Sequence, residues 1–260
     1  MALIHLHFPS KALEMETACD VILPQGRSDT HAPFPVLWLL HGMTEDHTAW
    51  QRHTGIERYL AEYGMAAVMP DAHLSCYADM AHGGKFFTYI AEELPEAMRR
   101  FFPLSPRRED SFIAGLSMGG MGSLKIGLSH PDRYAAIGCL SAGYTNYRPL
   151  PPAQVRMRAE VYRLAYGDAG ALESESRTAE QARRIVREGL PAPRVYHCCG
   201  QNDILRENAR QTQALFESFD GNPFDYLFEQ PPGIHDWAFW DAQIQRFLIY
   251  IFKGRGGLSQ

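Results

Sequence analysis

The 260-residue sequence predicts an α/β fold, with a mainly parallel sheet covered by helices on both faces. Short apolar runs recur along the chain with helix-like segments between them, the alternation that parallel strands and their crossovers require. Each run is apolar at successive positions and stops at Gly, Pro, Asp or Ser, as a strand buried on both faces should. The length suits one such domain spanning residues 1–260, since α/β sheets of this size often do not split.

The stretches around Ile4–Phe8 and Thr17–Leu23 read as an antiparallel start to the sheet, followed by a polar, proline-containing loop from Gln25 to Pro35. Val36–Leu40 is the clearest strand. Ala66–Met69 closes at Pro70-Asp71, Ser111–Ala114 at Gly115, Ala136–Leu140 at Ser141, and Arg194–Cys198 before Gly200. Phe224–Phe228 reads as the last strand and Trp237–Phe252 as the last helix. Tyr144–Thr178 is the least regular segment, with Pro149, Pro151 and Pro152 ahead of a weakly helical, arginine-rich stretch. It reads as a cap-like insertion over the carboxyl edge of the sheet, where ligands bind in such folds. Its charges, Arg158, Arg163 and Glu160 among them, suggest a solvated cover anchored by Val155, Met157, Val161 and Leu164.

Composition narrows the function classes. Hydrophobic residues make up 45% of the chain and charged residues 21%, values ordinary for a globular protein. The net charge of −5 argues against a nucleic-acid partner, whose phosphates are bound by clustered Lys and Arg. No run approaches the ~20 apolar residues of a membrane span, and the N-terminus lacks the basic and apolar regions of a signal peptide, so a cytoplasmic location is expected. Cys19, Cys76, Cys139, Cys198 and Cys199 are odd in number and scattered, which predicts reduced thiols. With no His-Glu-x-x-His or paired-cysteine spacing, no metal site and no cofactor are expected. Whether the chain forms a homo-oligomer is left open.

Gly115-Leu116-Ser117-Met118-Gly119 matches G-x-S-x-G between a strand and a helix. That context predicts a nucleophile elbow, whose tight turn tolerates only small residues around an exposed serine. The elbow belongs to the α/β-hydrolase fold, in which an acid and then a histidine follow the serine, each on a loop after a late strand. Three histidines follow Ser117. His130 ends the elbow helix and His197 lies inside an apolar strand, so both read as structural. His235, in Pro232-Gly233-Ile234-His235, remains as general base. Asp203, in Gly200-Gln201-Asn202-Asp203, is the candidate acid; Asp236 competes, but a residue adjacent to the base seldom reaches its Nδ1.

An oxyanion hole needs one amide from the residue after the nucleophile and one from the loop after an earlier strand. Met118 and Met43 are the candidates, Met43 following Leu39-Leu40-His41-Gly42. His41, Gly42, Trp50 and Trp237 are candidates for the substrate pocket, with His41 also suited to bracing the loop.

At these residues the chain resembles the esterase D family of α/β-hydrolases, and most of all its bacterial tributyrin-esterase branch. The resemblance covers almost the whole chain through Leu39–Met43, Ala91–Pro95, Phe112–Gly120, Cys199–Asp203 and His235–Trp240. It implies Ser117, Asp203 and His235 as a triad, Met43 and Met118 as oxyanion donors, no cofactor, and a small-molecule ester as substrate. Short-acyl hydrolysis through an acyl-enzyme is the leading expectation. S-formylglutathione hydrolysis and feruloyl or acetylxylan esterase activity are alternatives within the family. An acyltransferase using the same triad is an alternative of another class.

Overall fold

The computed structural model describes residues 1–25, 33–145, 152–167 and 170–253. Most of the loop expected at Gln25–Pro35 and part of the insertion, residues 146–151 and 168–169, lie outside the described residues.

The chain begins with β1 (Ala2–Ser10) and β2 (Met15–Leu23), continues to β3 (Val36–Leu40), and then forms α1 (Ala49–His53) and α2 (Ile56–Tyr63). β4 (Ala66–Pro70) leads to α3 (Phe86–Thr88), a single π-turn at Tyr89–Glu93, and α4 (Leu94–Phe101). β5 (Ser111–Leu116), α5 (Met118–Ser129) and β6 (Ala136–Leu140) follow without interruption by other elements. α6 (Pro152–Tyr166) and α7 (Gly170–Arg187) precede β7 (Arg194–Cys198), α8 (Arg206–Glu217), β8 (Leu227–Glu229) and α9 (Trp237–Phe252).

Among the described residues, eight strands form one sheet in the order β1-β2-β4-β3-β5-β6-β7-β8. β1 and β2 pair antiparallel, β2 pairs antiparallel with β4, and the remaining pairs are parallel. Side chains alternate across the sheet, so Val36, Trp38 and Leu40 of β3 enter one core while Leu37 and Leu39 enter the other. α1, α2 and α9 cover the second face with Trp50, Leu60, Ile244 and Phe247. α4, α5 and α7 cover the first with Leu94, Met98, Leu124 and Ile185.

This order positions the site. From β3 the chain moves to β4 on one side, then returns to β5 on the other. The loops leaving the carboxyl ends of β3 and β5 therefore diverge, opening a crevice at the switch point.

Three sequence expectations shift. β5 continues past Ala114, because Gly115 still pairs with Leu40 of β3 and Cys139 of β6. The last strand starts later than Phe224, because Gly221-Asn222-Pro223 makes a turn in which the Tyr226 amide donates to Asn222 Oδ1 at 2.7 Å. Phe224 becomes a buried plug, edge-on to Phe216 at 5.1 Å. The insertion holds α6 and the first half of α7, and both helices are regular because Val161 and Ala165 of α6, and Ala182 and Ile185 of α7, bury one face of each. Among the described residues, no helix is long and apolar enough to cross a membrane.

His197 lies wholly buried in β7, where Nε2 donates to the Ala142 carbonyl at 2.9 Å and Nδ1 accepts from the Tyr226 hydroxyl at 2.7 Å. Burial pushes the imidazole from 6.5 down to about 4. The unfolded chain therefore takes up a proton that the folded chain refuses, and stability is lost as pH falls from 6.5 toward 4. Urea unfolding of wild type and His197→Gln at pH 7.5 and 5 should show about 2 kcal/mol more acid loss in wild type.

Candidate active site

β5 and α5 are joined by one residue, Ser117, with φ 52° and ψ −116°. A serine at positive φ is strained, at a typical cost of about 1–3 kcal/mol, and persists only where its surroundings hold it. Here the Ser117 amide donates to Leu140 O on β6 at 2.9 Å, and the Ser117 carbonyl accepts from the Met121 amide at 3.1 Å. The flanking glycines permit the approach. A Cβ on Gly119 would stand 2.4 Å from Leu40 O, and one on Gly115 would stand 2.4 Å from the Gly119 carbonyl carbon.

Asp203 follows β7 and is only 5% exposed. A turn fixes it: its amide donates to Gly200 O at 3.1 Å, and its Oδ1 accepts from the Leu205 amide at 2.7 Å. His235 follows β8 on a loop tied to the acid's loop by Gln201 N to Pro231 O and Asn202 N to Gly233 O, each 3.0 Å. His235 Nδ1 stands 3.0 and 3.1 Å from the two Asp203 carboxylate oxygens, and Nε2 stands 3.0 Å from Ser117 Oγ. A carboxylate accepts only, so Nδ1 carries the proton and Nε2 accepts from the serine hydroxyl. The Trp240 ring meets the imidazole edge-on at 4.9 Å and restricts its rotation. Asp236 is occupied elsewhere, capping α9 by accepting from the Phe239 amide at 2.9 Å.

The β3 loop forms the opposite wall. His41 is buried, its Nδ1 donating to Gly42 O at 2.7 Å, its Nε2 accepting from the Ala72 amide at 2.9 Å, and its carbonyl accepting from Tyr77 Oη at 2.9 Å. These bonds brace the segment that leads to Met43. Glu45, which sequence reasoning missed, accepts from the Gly42 amide at 2.8 Å. Burial raises its carboxyl above the usual range, and the Gly42 amide opposes that rise. Met43 and Met118 line the cavity that holds Ser117, and the Met118 amide opens α5, where it has no intrahelical acceptor. Thr44, Cys76, Tyr77 and Ser141 also take positive φ, so strained backbone surrounds Ser117.

The four pocket candidates fall outside the lining of this cavity. His41 and Gly42 lie behind it as bracing. Trp50 is 1% exposed in the core, where its Nε1 donates to Leu40 O at 3.0 Å, because an indole gains more from full burial with one satisfied N–H than from a half-wet wall. Trp237 opens α9, stacked on His53 at 4.7 Å and edge-on to Trp50 at 5.3 Å. The lining residues that sequence reasoning did not assign include Cys76, Met121, Tyr162, Leu205 and Asn208. Arg158 lines the cavity too, correcting its expected place on a solvated face. Arg158 and Tyr162 are one turn apart on α6, but only the placement of that helix shows which way the pair faces. Among the described residues, no group of three His, Cys, Asp or Glu side chains could hold a metal ion.

Comparison with known proteins agrees with this architecture. Residues 10–251 match the model of the Esterase family, described as "Putative esterase". The structure of the Staphylococcus aureus fluorophosphonate-binding serine hydrolase F, FphF, superposes with a TM-score of 0.84 at 33% identity, covering 96% of this chain and 98% of that one. The S-formylglutathione hydrolase FrmB of S. aureus superposes with a TM-score of 0.79 at 30% identity and the same coverage. An acetyl esterase of Caldicellulosiruptor saccharolyticus is 28% identical, over 97% of this chain and 99% of the relative. The chain therefore belongs to the Esterase family and is a serine hydrolase.

Proposed function

We propose that the chain is a carboxylesterase of esterase D type, nearest the tributyrin-esterase branch, which hydrolyses short-acyl esters through an acyl-enzyme on Ser117. The observation that carries this reading is the hydrogen-bonded series Ser117 Oγ, His235, Asp203. His235 Nε2 takes the hydroxyl proton as Ser117 Oγ attacks the ester carbonyl, and Asp203 stabilises the imidazolium that forms. The tetrahedral oxyanion is held by the amides of Met43 and Met118. Its collapse expels the alcohol, which His235 protonates. A water then repeats the sequence on the acyl-enzyme and releases the acid. The five free cysteines, all buried, support a reducing, cytoplasmic setting.

Pocket size supports the short acyl group. The cavity at Ser117 is a narrow cleft of about 30 Å³, closed in by Met43, Met118, Met121 and Tyr162. Each methylene that fits an apolar pocket gains ~0.8 kcal/mol, so preference falls where the pocket ends. A second reading, S-formylglutathione hydrolysis, has support in the likeness to FrmB across nearly the whole chain.

Ser117→Ala and His235→Ala should each lower kcat by ~10⁴-fold or more while the protein stays folded, and a fluorophosphonate should label Ser117 alone. Near-normal turnover in folded Ser117→Ala would end the proposal. Among p-nitrophenyl acetate, butyrate, octanoate and palmitate, kcat/KM should peak at acetate or butyrate, and S-formylglutathione assayed alongside decides the second reading. Octanoate outrunning butyrate would contradict a short pocket. For the oxyanion wall, Glu45→Gln keeps an acceptor for the Gly42 amide and should retain most activity. Glu45→Ala frees that amide and should cost about tenfold in kcat, corresponding to ~1.4 kcal/mol of lost alignment. Equal kcat in both variants would show that Glu45 does not position Met43.

A further inference from the structure

α6 buries Val161 and Ala165 in the core, which turns the neighbouring stripe of Arg158 and Tyr162 toward the crevice. Arg158 shares the cavity of Ser117 with residues that carry no opposite charge. Among the described residues, no Asp or Glu lines the cavity. The Arg158 Nε is buried without a hydrogen-bond partner, and no ion pair engages its guanidinium among the described residues. The ion pair nearest in sequence on α6 joins Arg163 to Glu160 at 2.7 Å and leaves Arg158 out. The Cys76 thiol cannot serve as counter-charge, because burial pushes it up to about 11 and keeps it protonated at neutral pH. A second cation stands behind this wall: Lys125 Nζ donates to the Cys76 carbonyl at 2.8 Å and to the Tyr166 hydroxyl at 3.1 Å.

A half-buried guanidinium without a protein acceptor is unfavourable in the empty enzyme and is relieved by an anion presented in the plane of its N–H groups. We infer that Arg158 recognises a carboxylate on the substrate, so that the favoured esters are half-esters or acylated hydroxy acids whose free carboxylate reaches the cavity beside Ser117. The inference rests on the acyl-enzyme reading above and narrows its substrate class. A guanidinium takes a carboxylate in a bidentate fork, which a neutral amide of the same shape cannot reproduce, because the amide offers one oxygen and sets an NH₂ against the second N–H. The carboxylate can enter on the acyl side or on the alcohol side of the scissile bond. The chemistry at Arg158 is the same in both cases, and the two are separable by experiment.

The test measures kcat/KM by acid release for two matched pairs of alkyl esters, which avoid the self-cleavage of activated aryl half-esters. Monoethyl succinate against ethyl succinamate places the charge on the acyl side. Acetoxyacetate against acetoxyacetamide places it on the alcohol side. Wild type should favour the carboxylate by at least tenfold in one pair, and that pair identifies the side. The ratio should fall to about one in Arg158→Met, invert in Arg158→Glu and be partly kept in Arg158→Lys, with fluorophosphonate labelling of Ser117 confirming a folded site in each. Should Arg158→Met fail to fold, Arg158→Gln carries the same comparison. A wild-type ratio near one in both pairs overturns the inference, as does a preference that persists without the arginine. Failure of the underlying esterase reading looks different, because wild type would then cleave neither the neutral amide-bearing esters nor p-nitrophenyl acetate.

Discussion

The site depends on one residue of backbone held where it would not otherwise rest. Ser117 takes positive φ between the end of β5 and the start of α5, and the conformation is fixed by the hydrogen bond from its amide to Leu140 O. That bond reaches across to β6, so the strain at the serine is borne by the parallel pairing of three strands rather than by the turn alone. The close approach of Gly119 to Leu40 O has a second effect, setting the start of α5 against the end of β3. Met118, at the start of α5, and Met43, on the loop after β3, consequently face one cavity. The nucleophile and both candidate oxyanion donors are thus positioned by a single packing event at the topological switch point.

The histidine and its acid are held by a different device. Their loops leave β7 and β8 and are joined by backbone hydrogen bonds, which tie the position of Asp203 to that of His235. The acid is also held by the Leu205 amide, which donates to Oδ1, the oxygen that also lies 3.0 Å from His235 Nδ1. Because the imidazole is buttressed by Trp240 from α9, the orientation of the base draws on the core of the opposite sheet face. Rigidity in a reacting constellation matters because small displacements cost large factors in rate.

How much of this was legible in the sequence depended on whether local chemistry or tertiary packing made the decision. The strands from Val36 to Cys198 were readable because burial on both faces leaves near-continuous apolar runs. Ser117, Asp203 and His235 stood out because each lies on a constrained turn just after a strand, and the structure brings them within hydrogen-bonding distance. Trp50 lies in the core because residue type and proximity in sequence do not say which side of the sheet a side chain takes. The edge strand at Leu227 was misread because Asn222 caps a turn that an apolar count cannot detect. Arg158 was hidden for a related reason: an arginine on a helix usually faces water, and its inward turn follows from the burial of Val161 and Ala165 three and seven residues on.

The cavity also contains a rival nucleophile, which bears on why serine is the residue proposed to react. Cys76 lines the same space as Ser117, and a thiolate is intrinsically the stronger nucleophile. Two features withhold it. Burial raises its thiol to about 11, although Lys125 and Arg158 both act to lower it, so the protonated form dominates at neutral pH. No hydrogen bond links it to His235, whose Nε2 is directed instead at Ser117 Oγ. Activation by a base therefore outweighs intrinsic reactivity. Burial thus silences the cysteine, while the serine reacts because a base is aligned with it.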